Sequence, residues 1–237
     1  MSTVRIFINH SIRMIFKDPM LILLLVCPLL IAFVFKAGNE ILAPVLMDAY
    51  AFDLSPYHAF IDFFVLFLGS MMMGVVTSFV LIDENDEGVS RYYEITPLGK
   101  KRYLMYRIGI PWMIYTIEFC LISVFGLLVR PSFGEIFLRY LFAISQLLFC
   151  GLLVLALAKN KLEALVVAKL VGLMVVPLIV PLFIEAPITY ALIPFPGFWL
   201  GKGLLLEADD YLLYALIMGT MLSLCYAWVL YRRAFRS

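Results

Sequence analysis

The chain has 237 residues, of which 64% are hydrophobic and 15% are charged, and its mean hydropathy is +1.02. Soluble domains are nearer half apolar and a quarter charged, so this composition excludes a soluble globular protein and indicates an integral membrane protein. The net charge of +1 gives no reason to expect a nucleic-acid partner, and the four cysteines, all within apolar runs, show no metal-ligand or disulfide spacing.

The first 18 residues predict a helix that lies in the membrane interface. Between residues 4 and 17, apolar side chains alternate with basic ones, a pattern typical of a helix with its apolar face in the lipid and its cations at the headgroups. Pro19 suits the first turn of a new helix, so the interfacial helix should end at Asp18. A plain basic flank to the first span is the alternative interpretation.

Six apolar runs are predicted to cross the bilayer, for which about 20 residues are needed. The first run is short and we expect Pro28 to break its helix. Its ends should therefore be covered by neighbouring helices, with a mixed loop following to about residue 57. The fifth should be kinked near Pro177 and Pro181. The predicted spans are residues 20–35, 58–82, 103–129, 137–158, 162–184 and 211–230. A short basic turn, residues 159–161, is predicted between the fourth and fifth spans, and a basic tail with Arg232, Arg233 and Arg236 follows the sixth.

Residues 186–206, between the fifth and sixth spans, are too apolar for a solvated loop and too rich in proline and glycine for a straight span. Irregular backbone is tolerated at membrane depth only where protein or a cavity satisfies its polar groups. We therefore predict a re-entrant pair of short helices. One more kinked span, which would put the C-terminus outside, is the alternative.

The distribution of basic residues predicts the orientation. With six spans and both termini in the cytoplasm, 14 of the 18 Lys and Arg residues lie on the cytoplasmic side, as the positive-inside rule requires. The predicted fold is therefore all-α, a single polytopic domain over residues 1–237 in the inner or plasma membrane.

Residues 83–107 form a polar island between the second and third spans. They hold 10 of the chain's 35 charged residues, 18 basic and 17 acidic in all, so we expect the island to lie in water. An EF-hand-like spacing runs from Asp83 to Glu94. Glu87 at its fifth position and Arg91 at its ninth depart from the calcium-binding pattern, so we expect no metal site.

Motifs of known catalytic chemistry do not occur. The chain has no phosphate-binding loop, no H-E-x-x-H zinc motif and no nucleophile elbow, so we expect no catalytic residue and no cofactor bound by this chain. Within the spans, Glu118 and Gln146 fall at comparable depth. Because a carboxyl group in a membrane is costly, both are predicted to line a translocation path. Alternatively, Glu118 is protonated or hydrogen-bonded between helices and fixes their packing.

The island resembles the cytoplasmic segment between spans two and three of type 2 ABC exporter permeases. That segment contains acidic residues, Gly-Thr, Thr-Pro-Leu, a basic residue and a return rich in Tyr and Leu. The matching pieces here are Glu84, Glu87-Gly88, Ile95-Thr96-Pro97-Leu98, Lys100-Lys101 and Tyr103-Leu104, with Val89 where threonine is common. The compact size is similar to that of drug and peptide-antibiotic export permeases, including those for fluoroquinolones.

This resemblance implies a permease subunit that moves an amphipathic drug, peptide antibiotic or lipid-like molecule outward. A separate P-loop ATPase subunit would bind ATP and Mg²⁺. A second permease copy, giving a homodimer or a heterodimer, would complete the transporter among the membrane lipids. Residues 83–102 would be the coupling segment. By resemblance, the residues that couple to the ATPase are Asp83, Glu84, Asp86, Glu87, Gly88, Arg91, Glu94, Thr96 and Pro97.

Two other classes of function stay open. A membrane-embedded enzyme acting on lipids would use intramembrane or interfacial carboxylates, and it would need paired acids or histidines facing one cavity, which the sequence does not indicate. A non-catalytic assembly or sensor protein is the second. Within the transporter class, a cytochrome-biogenesis permease is a near alternative.

Overall fold

The computed structural model describes residues 15–88, 99–184, 186–205 and 209–236. Within these ranges the chain forms helices joined by short turns, without a strand. Six helical runs are long and apolar enough to cross a membrane, which confirms the all-α polytopic fold. The helices are α1 (Pro19–Tyr50), α2 (His58–Asp86), α3 (Gly99–Leu121), α4 (Phe133–Leu157), α5 (Lys161–Gly172), α6 (Val176–Phe183), α7 (Pro196–Leu205) and α8 (Asp209–Arg236).

Helix α1 begins as predicted but ends far later. The Asp18 side chain accepts a hydrogen bond from the Met20 N–H at 2.9 Å, and Pro19 occupies the first turn. The interfacial helix predicted before it lies outside the described residues, apart from residues 15–18. Pro28 and Pro44 both lie inside α1, so the predicted break and the loop from residue 36 are wrong. Apolar surroundings leave no water to compete for the backbone, and proline is tolerated there.

The polar residues that suggested a loop are bound to other parts of the chain. Lys36 donates to the Phe125 carbonyl oxygen at 2.8 Å, and Asn39 is hydrogen-bonded to His58 at 2.8 Å. The helix can therefore continue past them. At the ends of the predicted first span, Leu21 is buried whereas Val34 and Phe35 are exposed, and only 17% of the most apolar stretch of α1 is buried.

Helix α2 is the central element, and 89% of its apolar stretch is buried. It packs against α1, α3, α4 and α5. Its contact with α4 is close because a glycine lies on each side: a Cβ atom at Gly74 would lie 2.6 Å from the Leu147 carbonyl oxygen. The Ser78 hydroxyl crosses this contact and donates to the Gly151 carbonyl oxygen at 2.8 Å. Small residues thus bring the two backbones together, as in other membrane bundles.

The turns after α3 and α4 are both capped. Helix α3 ends in one wide π-helical turn over Ile122–Gly126, earlier than the predicted third span. The Ser132 side chain then accepts from the Glu135 N–H at the start of α4. Asn160 caps α5 in the same way, accepting from the Glu163 N–H at 3.0 Å. The predicted basic turn between the fourth and fifth spans is therefore a helix cap.

The fifth span is broken, and the segment after it returns into the bundle. Helices α5 and α6 are separated by a 3₁₀ turn over Leu173–Val175, immediately before the prolines that predicted a kink. A second 3₁₀ turn, Pro187–Leu192, leads to α7. A Cβ atom at Gly203 would meet Ala215 near the start of α8, whereas the carbonyl oxygen of Pro196, the first residue of α7, faces Gly219, about 6 Å further along α8.

Helix α7 therefore packs between α6 and α8, antiparallel to the start of α8, and the re-entrant pair of short helices stays a prediction. Glycines permit this, since a Cβ atom at Gly201 would collide with the Leu178 carbonyl oxygen. Helix α8 forms the sixth span, and it continues to Arg236. The basic residues predicted as a tail are consequently helical.

Candidate functional site

The predicted coupling segment is bounded by the end of α2 and the start of α3. Helix α2 ends at Asp86, and Gly88 has a left-handed φ of 73°, a conformation that glycine adopts without strain. The helix therefore ends in a turn over Glu87 and Gly88. The predicted coupling residues that follow lie outside the described residues: Arg91, Glu94, Thr96 and Pro97.

A buried ion pair joins the two helices directly behind this segment. The Glu84 carboxylate, in the last turn of α2, is paired with the Arg107 guanidinium of α3, and the exposed fraction of each side chain is at most 1%. The Tyr103 hydroxyl donates to Glu84 Oε2 at 2.6 Å. The expectation that Glu84 and Arg107 lie in water is wrong. Their opposite charges balance each other, and a buried pair of this kind depends on such additional hydrogen bonds.

A second cluster, around Lys161, connects the start of α5 to two other helix ends. The Lys161 ammonium lies 2.9 Å from Asp83 Oδ2 at the end of α2 and 3.3 Å from Asp18 Oδ2 at the start of α1. The backbone N–H of Lys161 also donates to Asp86 Oδ2 at 3.3 Å. The first residue of α5 thus holds the start of α1 and the end of α2 next to each other.

Sequence reasoning missed the role of Lys161 and assigned it to a basic turn. The available signal was the pair of acids at the ends of the first two spans, on the same predicted side as one lysine that begins the fifth span. Because Lys161 is 43% exposed, water screens these ion pairs, and they contribute at most about 1 kcal/mol to stability. Their contribution is to position the helix ends relative to one another.

The described coupling residues therefore fall into two groups. Glu84 is buried and Asp83 is held by Lys161, so these two residues connect helices within the chain. Asp86, Glu87 and Gly88 are exposed at the tip of α2. Among the coupling residues that the structure describes, these three can meet another protein without rearrangement of the helices.

Glu118 and Gln146 are both buried, but they face different helices. The Glu118 carboxyl lies against α2, with Oε1 3.6 Å from the position of a Cβ atom at Gly69, and neither oxygen has a hydrogen-bond partner in the described part of the chain. Gln146 Oε1 accepts from the Ser223 hydroxyl of α8 at 3.0 Å. The structure does not bring the two side chains together, and Gln146 already has the partner that a packing role requires.

Asp62 and Arg139 are buried near the starts of α2 and α4, at the end of the bundle away from the coupling segment. Sequence reasoning also missed them. Asp62 accepts from the N–H groups of Leu128 and Val129 at 2.8 and 2.9 Å, which anchors the turn after α3. The Arg139 guanidinium lies 4.1 Å from the centre of the Phe63 ring. These contacts are structural, since Asp62 satisfies two backbone N–H groups and the Arg139 guanidinium is paired with Glu135 one turn away.

The sequence of this chain is similar to those of known export permeases. The model of a family described as fluoroquinolones export permease protein Rv2686c-like matches residues 11–231. Two curated relatives, fluoroquinolones export permease proteins Rv2686c and MT2760 of Mycobacterium tuberculosis strains H37Rv and CDC 1551, are each 26% identical over 235 residues. These alignments cover 96% of this chain and 92% of each relative. No solved structure gives a significant match.

Proposed function

Since the chain belongs to the Rv2686c-like family of fluoroquinolone export permeases, we propose that it is the membrane-spanning subunit of an ATP-driven exporter. The observation that carries this proposal is the family match over residues 11–231, and the six apolar helices fit it. The resemblance to export permeases noted in the sequence agrees with the names of the relatives. The proposed substrates are amphipathic molecules of the fluoroquinolone type, transported outward.

The proposed source of energy is a separate P-loop ATPase that binds ATP and Mg²⁺. Six spans form half of such a transporter, so the active unit contains two permease chains, identical or similar. Both termini are placed in the cytoplasm, because this orientation puts 14 of the 18 basic residues on that side. The ion-pair clusters around Glu84 and Lys161 then lie at the cytoplasmic end, where an ATPase binds.

The proposed coupling pathway starts at the exposed tip of α2. Asp86 and Glu87, with the segment through Pro97, contact the ATPase. Any displacement of this segment moves α2 and α3 together, because the Glu84–Arg107 pair joins them immediately behind it. Lys161 extends the connection to α1 and α5. Helices linked in this way shift as a unit, which is how small movements at one site alter a distant one.

Glu118 is the proposed contact for the substrate within the membrane. Its carboxyl lies at the junction of α1, α2 and α3, where the Pro28 side chain of α1 is 3.4 Å from the position of a Cβ atom at Gly69. Because α1 is the least buried span, its displacement would uncover Glu118 at low cost. A carboxyl group without a partner can then bind the amine of an amphipathic substrate. Gln146 is a second candidate contact, although it would first have to leave Ser223.

The test begins with the tagged chain, purified from its native membrane in mild detergent. We expect a P-loop ATPase to purify with it in stoichiometric amount, and inside-out vesicles that contain both to accumulate a fluorescent fluoroquinolone only when ATP is present. Recovery of the chain without an ATPase, or accumulation that does not require ATP, would refute the proposal.

A matched pair of variants tests the coupling surface. Reversing both charges at the tip, Asp86→Lys with Glu87→Lys, should reduce ATPase recovery and ATP-dependent transport together. Reversing Glu40 and Asp48, which are exposed at the far end of α1, should leave both unchanged. Equal effects of the two double variants would show that the tip of α2 has no special role.

A further inference from the structure

A lateral groove of about 310 Å³ opens between α4, the break in the fifth span and α8. Its walls include Phe149 and Leu153 of α4, Met174 of the break, and Tyr226 and Leu230 of α8. The Phe149 and Tyr226 rings pack with their centres 5.5 Å apart. These residues present a hydrocarbon surface to any occupant.

The turn that precedes α7 closes one end of the groove. Pro194 and Phe195, at the turn before α7, belong to its lining. The Tyr226 hydroxyl donates to the Pro194 carbonyl oxygen at 2.9 Å, so the most polar group of the wall is already engaged. The groove consequently suits a purely apolar occupant, because a polar group placed against this wall would lose its hydrogen bonds to water without replacement.

The other end of the groove leads to a basic residue. Arg233 follows Leu230 by three residues and Tyr226 by seven, spacings that place it on the same face of α8. Arg233 is exposed. Arg232 lies about a third of a turn away from that face, and its guanidinium lies 4.3 Å from the centre of the Trp228 ring. Along one helix face, the chain therefore presents an apolar groove and then a cation at the membrane surface.

We propose that this groove binds one acyl chain of an anionic phospholipid, whose phosphate lies against Arg233. A hydrocarbon chain matches the walls, and an anionic headgroup matches the basic end of α8. A zwitterionic lipid would fill the same groove but gain less from the arginine. The inference requires only that α8 spans the membrane, so it does not depend on the ATPase or on the exported substrate.

Photo-crosslinking in nanodiscs tests the site. The purified full chain is reconstituted in phosphatidylcholine that contains a small fraction of lipid with a photoreactive acyl chain, carried on either phosphatidylglycerol or phosphatidylcholine. After irradiation, peptide mass spectrometry locates the adducts. We expect adducts on the groove residues of α4 and α8, with a higher yield for phosphatidylglycerol. Equal yields for the two headgroups, or adducts spread evenly over the outer helix faces, would overturn the proposal.

Three variants sharpen the result. Arg233→Gln should lower the phosphatidylglycerol yield about fivefold, the ratio expected for one lost basic contact at an anionic surface, and leave the phosphatidylcholine yield unchanged. The control Arg232→Gln should change neither, and Leu153→Trp, which fills the groove, should remove the adducts of both lipids. If the two arginine variants behave alike, or if a photoreactive fluoroquinolone labels the groove and displaces the lipid, the assignment is wrong.

Discussion

Replacing Arg107 by methionine should destabilise the chain more than replacing Arg107 and Glu84 together. In the single variant, the Glu84 carboxylate stays inside the bundle, with the Tyr103 hydroxyl as its remaining hydrogen-bond partner. In the double variant, Glu84→Met with Arg107→Met, two apolar side chains fill the same space and no charge is buried. The comparison isolates the contribution of the pairing from that of the packing.

The expected magnitudes follow from burial. Removing one partner of a buried pair costs about 3–5 kcal/mol of the free energy of unfolding, whereas replacing both by apolar residues is often neutral or better. Exposure of at most 1% leaves little solvent to screen these charges. The retained Tyr103 bond favours the lower limit, about 3 kcal/mol for Arg107→Met. The half-exposed Lys161 offers a contrast, since Lys161→Met should cost at most about 1 kcal/mol.

The assay is unfolding of the purified chain in mixed micelles, titrated with a denaturing detergent and followed by tryptophan fluorescence. Both single variants, the double variant and Lys161→Met are compared with the unaltered chain in the same micelles. We expect the two single costs to exceed the double cost by about 2 kcal/mol or more. If the single costs simply add up to the double cost, Glu84 and Arg107 do not form a pair, and α2 and α3 are not joined behind the coupling segment.

Four further substitutions can be compared with the unaltered chain. Gly74→Ala should lower the free energy of unfolding by about 1–3 kcal/mol, because the new methyl group overlaps the Leu147 carbonyl oxygen. The control Gly134→Ala should be nearly neutral, since its methyl group meets open space. Equal effects of the two substitutions would contradict the close contact between α2 and α4. Asp62→Ala leaves two backbone N–H groups without their acceptor and should cost about 1–3 kcal/mol for each. Glu118→Gln should change stability by less than about 1 kcal/mol yet reduce ATP-dependent export, and full export would remove Glu118 from the substrate path.

The number of spans and the all-α fold were predictable because both depend on runs of apolar residues, which hydropathy reads directly. Local signals also worked where one residue determines the backbone, as with Pro19 in the first turn of α1 and the prolines near residue 177. Pro28 misled the prediction, because the cost of a proline in a helix depends on whether the surroundings can compensate for it. In a bundle within lipid they can, and α1 continues through two prolines.

The paired charges could not be predicted because hydropathy treats each charged residue separately. Glu84 and Arg107 lie on different helices, and the Lys161 contacts join residues 78 and 143 positions apart. Only the packing of α2 against α3 and α5 shows that these charges face one another. The same limit applied to Glu118 and Gln146. Their similar predicted depth in the membrane gave no information on which helix each one faces.

The Lys161 cluster also has a consequence for how the chain is made. Asp18 is 143 residues from its lysine partner, and ribosomes add about 5–20 residues per second, so roughly 7–30 seconds pass before the two can meet. Throughout that interval the Asp18 carboxylate lacks its Lys161 partner. These contacts can close only once Lys161, the first residue of α5, has been synthesised. Fixation of the first span is therefore a late step in biogenesis, although that span is synthesised first.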